Sequence, residues 1–274
     1  MSAPPLTCPD AAAEALASLL ADAVSVLGFT GAGISTECGV PDFRSPGSPW
    51  LQNKPIPYPA FVASAEARRE AWRRKFAMDD HYSDARPGRG HHVLAAMVAR
   101  GVMPAIITQN IDGLHQAAGV PAERVIEIHG NGTYAACLDC GTRHELPPVR
   151  AHFEQTGDAP ACLACGGLIK SATISFGQAM PEGAMQRAAD LARRCEVFLA
   201  IGSSLVVFPA ATLPLVAERS GADLVIINGE PTELDGDARL VIRADIGTVL
   251  ASTAANLGWN EAVFTSRNRP QWYG

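Results

Sequence analysis

The sequence predicts an α/β fold, a doubly wound parallel sheet carrying a smaller inserted domain. Three observations lead there. Five short apolar runs, at 24–29, 105–108, 125–128, 198–201 and 224–227, each lead into a glycine-rich or polar group. Buried parallel strands with ligand-binding groups at their carboxyl ends read this way. Helical spacing lies between the first two runs, at 61–81 and 91–100. Two Cys-x-x-Cys pairs between 137 and 170 then break the rhythm and mark an inserted module.

The elements follow in order. Residues 10–23 read as a helix, opened by Pro9 or Asp10, with Leu16, Leu19 and Leu20 on its apolar face. The first strand, 24–29, runs into Gly31, Ala32, Gly33, Ile34 and Ser35. Glycines there let the backbone approach a pyrophosphate, and a following helix N-terminus offers N–H donors. The spacing is not the usual dinucleotide fingerprint, because Thr36 holds the third glycine position. Asp42, Phe43 and Arg44 place an acid, a ring and a guanidinium just beyond, a trio that a plain strand-turn-helix does not need. Residues 46–59 are a proline- and glycine-rich loop. From 61 to 81 the pattern is helical, with Trp72 and Phe76 four apart on one face, and its Arg68–Lys75 basic cluster reads as a solvated face. A further helix spans 91–100. Residues 260–274 read as a loosely held tail.

Composition limits the function. The chain of 274 residues is 47% hydrophobic and 18% charged, so it folds around a sizeable core. A net charge of -6 argues against a nucleic-acid surface. Acids at Asp10, Glu14 and Asp22 interrupt the alanine-rich start, which excludes a signal peptide, and no apolar run is long enough for a membrane span. Seven cysteines, four of them in Cys-x-x-Cys pairs, suit metal binding in a reducing cytoplasm better than a disulfide framework.

Cys137, Cys140, Cys162 and Cys165 form the strongest chemical signal outside the glycine stretch. Two such pairs can close a tetrahedral thiolate site for one structural zinc ion, although their separation slightly exceeds the usual interval of about 15–20 residues. Cys8, Cys38 and Cys195 lack such partners and read as small apolar side chains. His129 ends the third run, before Gly130, Asn131 and Gly132, where its neutral imidazole could take a proton. Gln109, Asn110 and Asp112 could bind ribose hydroxyls and a carboxamide, or simply make a turn. Gly202, Ser203 and Ser204 could donate to phosphate or cap a helix. Asn228, Gly229 and Glu230 suit a ribose, with Ile246 as a backbone contact beyond them. His91, His92, His144 and His152 read as structural, and His115 as a packing or hydrogen-bonding residue.

GAGIS followed by GVPDFR resembles the sirtuin family of NAD-dependent protein deacylases. The resemblance continues through TQNIDGLH, the IEIHG run, the paired cysteines, GSSLVVFPA and INGEPTELD, and covers residues from about 20 to 250. It implies that His129 is the general base and that Asn110, Ile111 and Asp112 hold the nicotinamide end of NAD. It implies that the ring of Phe43 shields the cationic sugar and that Arg44 addresses phosphate or orders its loop. The acyl-lysine oxygen would attack the anomeric carbon and release nicotinamide. His129 would then help a ribose hydroxyl attack the resulting imidate, and water would release lysine and acyl-ADP-ribose. Ser175, Phe176 and Gly177 would face Val207 and Phe208 across an extended substrate peptide. Gln178 stands where the family usually carries an acid. The helical insertion offers Trp72-Arg-Arg-Lys75 where family members that prefer succinyl groups carry Tyr-x-x-Arg, so acetyl or another uncharged acyl group is expected.

The expected division is a Rossmann-like NAD-binding domain at 1–44, 91–132 and 171–258. A small domain combines the helical insertion 45–90 with the zinc module 133–170, and 259–274 is a tail. The protein is expected to be a cytoplasmic monomer acting on acyl-lysine proteins. Transfer of ADP-ribose to protein, NAD hydrolysis and non-catalytic NAD or ADP-ribose binding are the alternatives.

Overall fold

The computed structural model describes residues 4–42 and 55–259. Helix α1 (Pro9–Leu20) has Pro at its first turn and buries Ala12, Ala13, Leu16, Ala17 and Leu20. Strand β1 (Val26–Thr30) is buried along its whole length. It leads into a 3-10 helix at Ala32–Cys38. The expected single helix at 61–81 is two: α2 (Tyr58–Ala63) and α3 (Ala65–Tyr82). Ser64 breaks them with extended backbone and caps α3 by accepting from the Ala67 amide. Helix α4 (Arg89–Ala99) precedes β2 (Ile106–Thr108), the short α5 (Leu114–Ala117) and β3 (Val125–Glu127).

Then come β4 (Gly130–Cys137), β5 (Arg143–Glu145), α6 (Leu146–Thr156) and β6 (Ile169–Thr173). After them run α7 (Glu182–Ala192), β7 (Val197–Ile201), α8 (Leu213–Arg219), β8 (Asp223–Ile227), β9 (Leu240–Ile242) and α9 (Ile246–Asn256). Strand β9 and the last three helices carry no strong motif and went unpredicted.

The main sheet is six-stranded and parallel, in the order β3-β2-β1-β7-β8-β9. Leu6 extends it by bridging to Ile242 at the β9 edge. Successive residues of a strand point to opposite faces, and the core divides accordingly. Val26 packs with Leu16, Leu94, Met97 and Leu250 on one face, while Leu27 and Phe29 pack with Phe198, Ala188 and Leu213 on the other. Strand order reverses between β1 and β7: the chain runs outward to β2 and β3 on one side and to β8 and β9 on the other. Such a switch point opens a crevice at the carboxyl ends of the strands.

The second sheet is antiparallel, β5-β4-β6. Its apolar face takes Trp72 and Phe76 from α3, stacked with ring centroids 5.3 Å apart, together with Cys137, Val149, Cys162 and Ile169. Helical insertion and cysteine module thus share one core. Arg150 of α6 reinforces it with paired bonds to Asp80, as does Arg69 with Asp158. The basic cluster on α3 is only partly a solvated face. Arg73 and Arg74 pair with Glu70 at the surface, whereas Lys75 is largely buried beside Asp79. Among the described residues, no helix is long and apolar enough to cross a membrane.

Candidate active site

A cleft of about 3060 Å³ lies between the two sheets. It is lined by Gly31, Ala32, Gly33, Ser35 and Asp42 from the β1 side, and by Gln109, Asn110, Ile111 and Asp112 after β2. His129, Gly202, Ser203 and Ser204 line it as well, with Asn228 and Glu230 at one end. Ile246 does not line it: this first residue of α9 is partly buried against the main core. Gly229 is not among the lining residues either, although both its neighbours are. Phe43 and Arg44 lie outside the described residues.

The glycine loop is fastened to the end of β7 by its own backbone. The amide of Gly31 donates to the Ile201 carbonyl at 2.9 Å, and that of Gly33 to the Gly202 carbonyl at 2.8 Å. Two of the expected donors are therefore taken up by the end of β7 and the residue after it. The glycines allow close backbone contact. A Cβ on Gly33 would stand 2.6 Å from the Gly202 Cα, and one on Gly31 2.6 Å from the Gly202 oxygen.

Beneath this loop runs a buried hydrogen-bond network. Ser35 is fully buried and donates its hydroxyl proton to Asp112 Oδ2 at 2.8 Å. Asp112 Oδ1 accepts from the Leu114 amide, and burial raises the pKa of this carboxyl group. Asn110 donates through Nδ2 to the Gly31 carbonyl and to Ser35 Oγ, which leaves its Oδ1 as the acceptor. Behind Ser35 stands His91, whose Nδ1 accepts from the Gly88 amide. Its Nε2 therefore carries the proton and faces Ser35 Oγ at 3.4 Å. Burial holds His91 neutral, with its pKa pushed down to about 4. His115 is fully buried too and meets Thr30 Oγ1 at 2.8 Å, the hydrogen-bonding role expected of it.

His129 is fixed by a backbone group. Its Nδ1 lies 3.0 Å from the Gln109 carbonyl oxygen. A carbonyl only accepts, so the neutral ring carries its proton on Nδ1 and keeps the Nε2 lone pair. Burial lowers the pKa of His129, with the Gln109 bond opposing. The Gln109 side chain donates to Ser203 Oγ at 2.8 Å and so ties the β2 and β7 loops together.

Several supporting residues escaped the sequence reading. Glu127 accepts from Gln116 and Asn131 beside the cleft, and burial raises its pKa. Arg243 donates to the Asn228 carbonyl at 2.9 Å and pairs with Asp235, holding the loop after β8. No spacing rule brings these residues together, since they come from separate elements.

At the mouth, Phe176 is 65% exposed and Phe208 69%, an unusual exposure for large apolar rings. Gln178 closes the turn beside Phe176, accepting the Ser175 amide on its side-chain oxygen.

The four cysteine sulfurs of the small sheet lie within 4.8 Å of one another. Cys137 and Cys165 are separated by 3.4 Å between sulfurs, and Cys140 and Cys162 by 3.7 Å. Tetrahedral thiolates about 2.3 Å from one zinc ion would stand about 3.8 Å apart, so the set fits. Gly141 and Gly166 follow each pair with positive φ, and their amides donate back to the carbonyls of Cys137 and Cys162. Four thiolates fill the coordination shell, so the ion is structural.

The Sir2 family model matches residues 31–209. The chain belongs to the Sir2 family. An NAD-dependent protein deacetylase 1 of Bradyrhizobium diazoefficiens is 58% identical over 89% of this chain and 95% of that relative. An NAD-dependent protein deacetylase of Rhodopseudomonas palustris is 57% identical over 89% and 96%. A solved Sir2 complex with a p53 peptide and NAD+ superposes with a TM-score of 0.79 at 35% identity, covering 90% of this chain and 99% of that one. The Sir2 match takes in the glycine loop, strands β2, β3 and β7 of the main sheet and the whole small sheet, so the four-cysteine module is as much part of the family pattern as the glycine loop.

Proposed function

We propose that this Sir2 protein is an NAD-dependent protein lysine deacetylase that works with the residue roles below. The observation that carries the reading is one cleft at the strand-order reversal. It gathers a neutral histidine of fixed tautomer, an amide and a carboxylate held from beneath, and exposed aromatic rings at its mouth. Binding alone needs no oriented base, which favours catalysis over a non-catalytic module.

When bound, NAD supplies the leaving nicotinamide and the ribose that accepts the acyl group. Asn110 and Asp112 hold the nicotinamide end. Their groups are pre-oriented by Ser35, so little ordering remains to be done on binding. Ser203 and Ser204 address phosphate or ribose, and Asn228 and Glu230 the adenosine ribose; all four line the cleft. His129 takes the proton of a ribose hydroxyl at Nε2. The substrate peptide lies extended between the Phe176 and Phe208 walls, where main-chain bonds give affinity without much sequence demand.

Uncharged acyl groups suit the site. Lys75, the cation nearest in sequence to the place of the family's carboxylate-binding pair, is already paired with Asp79.

The test is mass spectrometry of acetyl-lysine and succinyl-lysine peptides incubated with NAD, beside His129→Ala. The expected products are deacetylated peptide, nicotinamide and acetyl-ADP-ribose, all lost in the variant. Nicotinamide release with the peptide still acetylated would point to ADP-ribose transfer or NAD hydrolysis. A preference for the succinyl peptide would refute the acyl assignment.

A further inference from the structure

Lys170 is a buried cation that the chemistry above does not use. It stands on β6, is 5% exposed, and lines the cleft. Among the described residues no carboxylate pairs with it. Its ammonium donates instead to the carbonyl oxygens of Thr173 at 2.6 Å and Ser171 at 3.2 Å. It also sits 6.0 Å from the ring centroid of Phe61, a buried residue of α2. Burying a cation without a counter-ion is costly unless its surroundings compensate well. Burial here pushes its pKa down to about 8.

The backbone explains what the cation compensates. The register between β4 and β6 slips between the Gly130–Thr173 and Ala135–Ser171 pairs. Just beyond the slip the chain leaves the small sheet and enters the cleft. There the Ile174 amide donates to the His129 carbonyl at 2.8 Å, and the Phe176 carbonyl accepts from the Tyr58 amide of α2 at 2.9 Å. The carbonyls that Lys170 holds thus lie two and four residues before the peptide wall at 175–177. Phe61, against which it packs, belongs to the helix that the wall is bonded to.

We propose that Lys170 is a positioning residue for the substrate peptide: its ammonium pins the irregular end of β6 and thereby sets where the wall at Ser175, Phe176 and Gly177 stands. It touches no reacting atom. Its effect falls on peptide affinity rather than on NAD affinity, because the NAD-side contacts come from the loops after β1, β2, β7 and β8. The inference rests on the peptide-binding role of this wall in the proposed function.

The experiment uses the full chain loaded with zinc. Binding of a fluorescent acetyl-lysine peptide is read by anisotropy, and steady-state constants are measured for peptide and NAD. Lys170→Met, of similar length without the donors, is expected to weaken peptide binding and raise the peptide KM about tenfold. The kcat at saturating peptide and the KM for NAD should stay within about twofold, since no transition-state contact is removed. Lys170→Arg, which restores charged donors, should recover most of the peptide affinity.

An unchanged peptide KM in Lys170→Met would overturn the proposal, as would an equal rise in the KM for NAD. So would failure of Lys170→Arg to rescue. Loss of zinc or of the folding transition in Lys170→Met would also overturn it, since Lys170 would then hold the domain rather than the wall. The anisotropy readout needs no turnover. A protein that binds the acetyl peptide in a Lys170-dependent way yet turns over no NAD would refute the deacetylase reading alone.

Discussion

Replacement of His129 by alanine is expected to lower kcat by about 10²–10⁴-fold, the range for loss of a positioned general base. That is about 3–5 kcal/mol of barrier. The magnitude rests on the ring being both neutral and correctly oriented. The Gln109 carbonyl, 3.0 Å from Nδ1, selects the tautomer that leaves Nε2 free to accept a proton. Burial disfavours the imidazolium and brings the pKa below the ordinary 6.5. At pH 7, therefore, the neutral, working form of the base is favoured. The sign follows directly. Acid protonates the base and removes activity, and burial moves that loss to lower pH. The acid limb of the rate profile should thus have its midpoint below pH 6.5 and fall about tenfold per unit beneath it. Initial rates of deacetylated-peptide formation at limiting peptide, which report the free enzyme, measure this between pH 5 and 8. A His129→Ala enzyme within tenfold of wild type, or an acid midpoint above 6.5, would refute the reasoning.

Three further predictions concern the supports of the site. Ser35→Ala removes a partner from Asp112 and Asn110 together, so it should raise the KM for NAD and destabilise the fold by about 1–3 kcal/mol. Thermal unfolding would register this as a drop of about 2–4 °C per kcal/mol, and an unchanged transition would contradict the network. Gly33→Ala drives a methyl group into the Gly202 backbone, 2.6 Å from its Cα, so the two loops must separate. Calorimetry should find NAD binding abolished, and retained affinity would mean that the close approach is dispensable. Chelation of zinc, or Cys162→Ala, should loosen α3, because Trp72 and Phe76 share a core with Cys137 and Cys162. Hydrogen exchange should accelerate across Ala65–Tyr82 while β1 and β7 stay protected, whereas uniform acceleration would show that the two sheets unfold as one unit.

The sequence by itself determined the local chemistry. Each buried strand of the main sheet declared itself as an apolar run, except β9. The paired cysteines specified a metal site, because few other arrangements use that spacing. His129, Asn110 and Asp112 were legible because they follow apolar runs directly, and a parallel sheet collects strand ends on one edge.

Tertiary structure decided what crosses between loops. The glycine stretch read as a phosphate cradle, and in the fold Gly31 and Gly33 give their amides to the end of β7 and the residue after it, partners about 170 residues away. The His91–Ser35–Asp112 chain joins three elements through side chains whose identities suggest nothing alone. Nothing in the sequence marks Lys75 or Lys170 as buried, and only the packing of α3, and of α2 against β6, takes them out of water. The physical reason is the range of each signal. Periodicity, turn chemistry and metal-ligand spacing act within a few residues, and the chain records them in order. Hydrogen-bond partnership, burial and the pKa shifts that follow depend on atoms brought together from distant segments, which only the folded chain specifies.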